Sequence, residues 1–252
     1  MNALVTGGAS GIGAAVAARI VSDGGKAFVA DVNAPAEGLA YMRTDVRDPA
    51  AVQAAFDAAE KQLGSLDAAV LCAGLAITGG STPETVDLDV YHRLTGVNID
   101  GVVHGIRSAT PALRRAGGGG IVAIASLAGL TPAVGDPFYS MTKFAVVGLV
   151  RTLGPMLARE KITLNAMCPG FVDTPMVDPL RETFAAADFP LIPVETLVET
   201  ILRGLSPDGG SGECWLIQPG IDPAPYRFRG VPGAMRGGDV QRVPARPDRQ
   251  AP

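Results

Sequence analysis

The chain is poor in the residues from which metal centres, disulfide frameworks and nucleic-acid surfaces are built. Its 252 residues include two histidines, His92 and His104, and three cysteines, Cys72, Cys168 and Cys214, all far apart. Two histidines twelve residues apart do not form a His-rich cluster, so no metal site is expected. An odd cysteine number without a CxxC pair points neither to disulfides nor to zinc. Lys and Arg number 21 against 25 Asp and Glu, a net charge of −4. That balance provides no basic field for nucleic acid or an acidic membrane surface. No run of ~18 apolar residues predicts a membrane span. The start, MNALVTGG, has neither the basic n-region nor the cleavage site of a signal peptide. The expected address is the cytoplasm.

Hydrophobic residues make up 47% and charged residues 18%, which excludes a disordered chain. A single domain of this length buries enough surface to need no covalent staple. Short β-branched runs alternate with alanine-rich helical stretches. Strands are predicted at 3–6, 26–31, 66–71, 121–125, 162–167 and 213–218. Helices are predicted at 13–22, 49–63, 89–116, 138–159 and 195–205, the second opened by Asp48-Pro49 and the third ended by Gly117–Gly120. Strands alternating with long helices indicate βαβ units and a parallel sheet covered on both faces. From residue 219 the chain changes character, with six Arg against three Asp and few aliphatics. We expect residues 221–252 to be a tail whose last ~20 residues lack fixed structure.

The segment Val5-Thr6-Gly7-Gly8-Ala9-Ser10-Gly11-Ile12-Gly13 lies between a predicted strand and a helix. Glycines at 7, 11 and 13 permit a tight turn and close approach to a pyrophosphate, and the helix start offers free N–H groups. No lysine lies in the loop, so it is not a P-loop. Asp31 ends the second strand, eighteen residues beyond Gly13. A carboxylate there accepts hydrogen bonds from a ribose diol and repels a 2′-phosphate, so NAD is favoured over NADP. Arg43 is a distant cation that weighs against this reading.

Tyr139-Ser140-Met141-Thr142-Lys143 places Tyr and Lys one helical turn apart on one face. A general base works best with a pKa near the operating pH, about ~3 below that of free tyrosine. A neighbouring ammonium favours the phenolate. Lysine is scarce, with only Lys26, Lys61, Lys143 and Lys161. Ser126 ends the predicted strand IVAIAS, and ligands of parallel sheets gather at the carboxyl ends of strands.

Taken with TGGASGIG at 6–13, Asp45-Val46, Ala73-Gly74, Asn98 and Pro169-Gly170 followed by Thr174, these residues resemble the short-chain dehydrogenase/reductase family over about residues 2–220. GVNIDGVVHGIRSATPALRR and KFAVVGL look most like its hydroxyprostaglandin-dehydrogenase-like branch. The resemblance implies one Rossmann-type doubly wound α/β domain over 1–220, binding NAD. Tyr139 would be the acid/base. Lys143 would hold the nicotinamide ribose and lower the Tyr139 pKa, Ser126 would orient the substrate oxygen, and Asn98 would anchor a water relaying protons to Lys143. Gly7, Ser10, Gly11, Ile12, Gly13 and Asp31 would bind the dinucleotide, and Asp45 and Val46 would border its adenine. Ala73 and Gly74 would line the groove, and Pro169, Gly170, Val172 and Thr174 would flank the nicotinamide. One departure is Leu71-Cys72-Ala73-Gly74 where the family has Asn-Asn-Ala-Gly, and a cysteine cannot make the amide's hydrogen bonds.

Residues 175–193 lie where the family places a substrate lid. Met176, Val177, Leu180, Phe184, Phe189 and Leu191 make it apolar, with Val134 and Phe138 as a further wall. Arg181 offers itself to a substrate carboxylate or to solvent. Gly101 and Gly105 would let two helices approach closely, in the core or across a dimer. The resemblance implies a homodimer or homotetramer through the helices around 98–116 and 139–159. The expected reaction is hydride transfer between a hydrophobic secondary alcohol, or its ketone, and NAD. A non-catalytic NAD sensor or scaffold, and an NAD-retaining dehydratase or epimerase, stay open on the same fold.

Overall fold

A computed structural model of the chain describes residues 1–76, 82 and 84–230, and the backbone of 234–236 and 239–241. In chain order it contains β1 (Asn2–Thr6), α1 (Gly11–Ser22), β2 (Lys26–Asp31), β3 (Ala40–Arg43), α2 (Pro49–Leu63), β4 (Ala68–Leu71) and α3 (Leu88–Thr95). A wide π-type turn (Gly96–Asp100) leads into α4 (Gly101–Ala116), then β5 (Gly119–Ile124), α5 (Pro137–Leu157), β6 (Ile162–Pro169), α6 (Arg181–Ala186), α7 (Val194–Leu205), β7 (Cys214–Gln218) and β8 (Ile221–Pro225). The sheet order is β3-β2-β1-β4-β5-β6-β7-β8. All neighbours pair in parallel except β7 and β8. Chain direction across the sheet reverses between β1 and β4, which opens a crevice at their carboxyl ends.

The strands are apolar on both faces because both faces are covered. Leu4, Phe28, Ile121 and Leu164 pack with Phe56 of α2, Leu113 of α4 and Val150 of α5. Val5, Val29, Val122 and Ile217 pack on the other side with Val16 of α1 and Ile201 of α7. Alternation along each strand therefore feeds two separate cores. Phe56 is fully buried, and truncating it to Ala would cost about 3–5 kcal/mol.

The structure departs from the sequence reading in five places. β3 was not anticipated, because four half-exposed residues after Pro35 and Gly38 carry too short a pattern. The single helix expected at 89–116 is two helices joined by the π-type turn. Gly101 and Gly105 do not bring two helices together. A Cβ on Gly101 would lie 2.7 Å from Val46 Cγ2, and one on Gly105 2.5 Å from Leu71 Cδ2, so they seat α4 against the sheet and the loop after β3. The sheet runs past residue 220, since β8 turns back along β7 and closes that edge with Pro223 and Pro225, which lack N–H donors. Finally, residues Pro137–Glu160 are long and apolar enough to cross a membrane (mean hydropathy 1.2), although no such span was expected. Val146, Val147 and Val150 of that helix are buried on the sheet. The expectation for the end of the tail falls outside the described residues, apart from one short antiparallel strand pair.

Candidate active site

The loop after β1 bends back under Gly7, whose φ of +66° suits glycine. A Cβ on Gly7 would sit 2.6 Å from the Ala73 nitrogen, and one on Gly13 2.2 Å from the Gly7 carbonyl. Only glycine lets these three backbones stack. Ser10 is the N-cap of α1 but makes no side-chain cap bond, so the first-turn N–H groups stay open to the groove. The groove holds about 300 Å³. It brings together Gly7, Ser10, Ile12, Gly13, Asp31, Asp45, Val46, Ala73, Gly74 and Thr174 of the predicted residues, joined by Thr44, Cys72, Leu75 and Val97. Gly11 stands just behind, across from Thr174.

Asp31 is held at the far end of the groove. One oxygen accepts from the Ala9 N–H at 3.0 Å and the other from the Asn33 N–H at 2.9 Å. Asp45 is gripped by Arg47, with Nε to Oδ1 at 3.0 Å and Nη2 to Oδ2 at 2.6 Å. That bond holds the Asp45 carboxyl below its usual range. A glycine cradle, an open helix start and an oriented carboxylate fit a dinucleotide, phosphates at the loop and ribose at Asp31.

The chemical end lies on the next strands. Ser126 follows β5, and its hydroxyl accepts from the Ala128 N–H at 3.1 Å. Asp136 caps α5, accepting from the Tyr139 N–H at 3.1 Å, with Pro137 in the first turn. Lys143 is 4% exposed, donates to the Ile124 carbonyl at 3.0 Å and stands 5.4 Å from the centre of the Tyr139 ring. A Cβ on Gly74 would lie 3.6 Å from Asn98 Oδ1 and 3.7 Å from Lys143 Nζ, so both residues back onto the groove.

Burial raises the Tyr139 pKa above its ordinary value, with the Ser126 hydrogen bond opposing the rise and Asp136 adding to it. Burial also pulls Lys143 itself down to about 8. Asn98 was expected to anchor a relay water. Its side chain accepts from the Leu75 N–H at 2.8 Å and donates to the Leu75 carbonyl at 2.9 Å and to Thr142 Oγ1 at 3.1 Å. Its amide hydrogens are spent holding the groove wall to α5.

Thr142, fully buried, passes this bond on by donating to the Tyr139 carbonyl at 2.7 Å. Sequence reading missed Thr142, Leu75 and Asp136. Thr142 gave no signal, whereas Asp136-Pro137 repeats the cap signature read at Asp48-Pro49. Cys72 needs no amide to hold its segment. Its N–H donates to the Thr6 carbonyl at 3.1 Å, the next N–H reaches Thr6 Oγ1 at 3.4 Å, and burial pushes the thiol up to about 12.

Pro169 ends β6, the Gly170 N–H donates to Ile217 at 3.0 Å, and Val172 bridges to Ile192. This bridge closes the base of the lid. Phe171, Phe184 and Phe189 cluster on it, ring centres 4.7–5.9 Å apart. Arg181, offered above to a substrate, pairs with Asp173 at 2.8 Å and Asp178 at 3.0 Å. Phe138 stacks edge-on against Tyr91 at 5.7 Å, and Val134 is fully exposed.

Residues 1–185 match the family model described as short chain dehydrogenase. The chain is 38% identical over 185 residues to a 3-alpha-(or 20-beta)-hydroxysteroid dehydrogenase of Mycobacterium tuberculosis, covering 70% of each chain. It is 34% identical over 190 residues to a 2-dehydro-3-deoxy-L-rhamnonate dehydrogenase (NAD(+)) of a Sphingomonas species, covering 72% of this chain and 76% of that one. Among solved structures, a 3-ketoacyl-(acyl-carrier-protein) reductase from Brucella melitensis complexed with NADH superposes with a TM-score of 0.78 at 26% identity, covering 86% of this chain and 96% of that one.

Proposed function

The chain belongs to the short-chain dehydrogenase family and is an oxidoreductase of that type, and from that premise we propose that it interconverts a hydrophobic secondary alcohol and its ketone with NAD. The observation that carries this reading is the meeting of Ser126, Tyr139 and Lys143 at the carboxyl end of the sheet, beside the glycine groove. When bound, the nicotinamide takes or gives the hydride. Ser126 holds the substrate oxygen by its hydroxyl. Tyr139 exchanges a proton with that oxygen through its Oη. Lys143, held by the Ile124 carbonyl, would hold the nicotinamide ribose and return protons to Tyr139. Asn98 and Thr142 keep the helix and the groove wall in register. Pro169, Gly170, Val172 and Thr174 would flank the ring, Thr174 from the groove lining itself.

Asp31 supports the preference for NAD, since its oriented oxygens suit a diol and repel a 2′-phosphate. The phenylalanine cluster and exposed Met176 and Leu180 of the lid support an apolar substrate. Exposed Phe144 and Met156 on α5 and Val103 on α4 support self-association through those helices. The test is a panel of secondary alcohols run with NAD and NADP side by side. Reduced cofactor should appear with NAD, and Tyr139→Phe should abolish turnover while NAD still binds. Turnover with NADP alone would remove the preference. Unchanged function in the Phe variant would point to a sensor instead.

A further inference from the structure

The segment after β3 is pinned from three sides. Arg47 turns back on Asp45 with a two-point grip, Nε to Oδ1 at 3.0 Å and Nη2 to Oδ2 at 2.6 Å, and its own N–H donates to Oδ1 at 3.0 Å. The stem of Arg47 crosses the π-type turn, where a Cβ on Gly96 would lie 3.3 Å from its Cγ and Cδ. Between the two residues, the Val46 side chain packs on Gly101, and the Val46 carbonyl accepts from His104 Nδ1 at 2.9 Å. The Asp45 and Arg47 side chains are 36% and 49% exposed, and an ion pair so placed contributes little to stability. What the clamp does provide is a fixed direction for the Asp45 carboxylate.

That carboxylate lines the groove together with the apolar side chains of Val46, Leu75 and Val97. Strand order gives its place along the groove. The glycine loop follows β1, Asp31 ends β2, and Asp45 follows β3, each one strand further out. With phosphates at the loop and ribose at Asp31, an apolar slot edged by Asp45 is where a base falls. We propose that Arg47 is a positioning residue that fixes Asp45 as an acceptor for the 6-amino group of adenine, so that the site selects adenine over a 6-oxo purine. This rests on the reading of the groove as the NAD site. A carboxylate only accepts hydrogen bonds, so it pairs with an amino group and repels a carbonyl oxygen in the same position. The rigid guanidinium fork holds both carboxylate oxygens at once, which the single ammonium of a lysine does not.

The experiment is a calorimetric titration of the whole protein with NAD and with nicotinamide hypoxanthine dinucleotide, whose base carries a 6-oxo group in place of the amino group. The wild type should bind NAD about tenfold or more tightly than the hypoxanthine analogue. Arg47→Ala and Arg47→Lys should both narrow that ratio to below about threefold, with NAD weakened and the analogue little changed. Asp45→Asn should remove the preference, and Arg47→Ala added to it should change the ratio no further. A wild type that does not distinguish the two dinucleotides, Arg47 variants that weaken both equally, or a Lys variant that keeps the full ratio would each overturn the proposal. NAD binding with an unchanged ratio in the variants would overturn this inference alone. A protein that binds neither dinucleotide would overturn the reading of the groove along with it.

Discussion

Lys143, Thr142 and Asn98 lie in the floor of the site with at most 4% of their surface exposed, each with its polar atoms hydrogen-bonded to a neighbouring segment. The lid across from them is its physical opposite. Met176, Leu180 and Phe189 are 42–52% exposed, and Arg181 ties the segment down through two surface carboxylates. Buried polar groups must all be paired, so the floor tolerates one arrangement. Surface ion pairs contribute little and apolar side chains repack, so the lid tolerates several. Chemistry set in a rigid floor and selectivity placed in an adaptable lid give a site whose reaction is constant and whose substrate is adjustable.

The sharpest way to break this contrast is at Tyr139. Replacing it with Phe should lower turnover by roughly 10²–10⁴-fold with NAD affinity retained, measured by initial rates and calorimetric titration. A second probe is pH. Lys143 titrates at about 8 in the fold against 10.5 ordinarily. The unfolded chain then binds the extra proton between those values, so stability rises with pH across that window and the full cost is present below about 8. Denaturation of the protein and of Lys143→Met from neutral to alkaline pH should show the wild type gaining up to about 3 kcal/mol on the variant. A constant gap would mean the ammonium is solvated rather than buried.

Smaller effects follow. Thr142→Val strips the Asn98 amide of a partner and should cost about 1–3 kcal/mol in urea, with kcat falling more than KM rises, whereas Thr142→Ser restores both. In the lid, Arg181→Ala should change stability by less than about 1 kcal/mol and act on KM for bulky alcohols. If Arg181→Ala proved as damaging as Thr142→Val, floor and lid would not differ as argued.

The glycine loop, Asp31 and the Tyr–Lys spacing were legible because each rests on local geometry: a turn, a strand end, one helical turn. The alternating cores were legible too, since burial on both faces leaves its mark on every strand. Other features left no such trace. Asn98 reads as a mediocre helix residue, and its bonds to Leu75 and Thr142 span 23 and 44 residues. Gly101 and Gly105 read as a helix contact, and only their neighbours Val46 and Leu71 show that they seat a helix on the sheet.

The burial of Tyr139 and Lys143 was also beyond the sequence. Spacing places two groups side by side, but burial decides which form each prefers, and burial is a property of the packed chain. What the residues settled alone was the alternation of strand and helix, the glycine turn and the Tyr139–Lys143 spacing, all set by neighbours within a few positions. What awaited the fold was the burial of Lys143, the bonding of Asn98 to Leu75 and Thr142 and the closing of the sheet by β8. Each of these depends on segments far apart in the chain excluding water together.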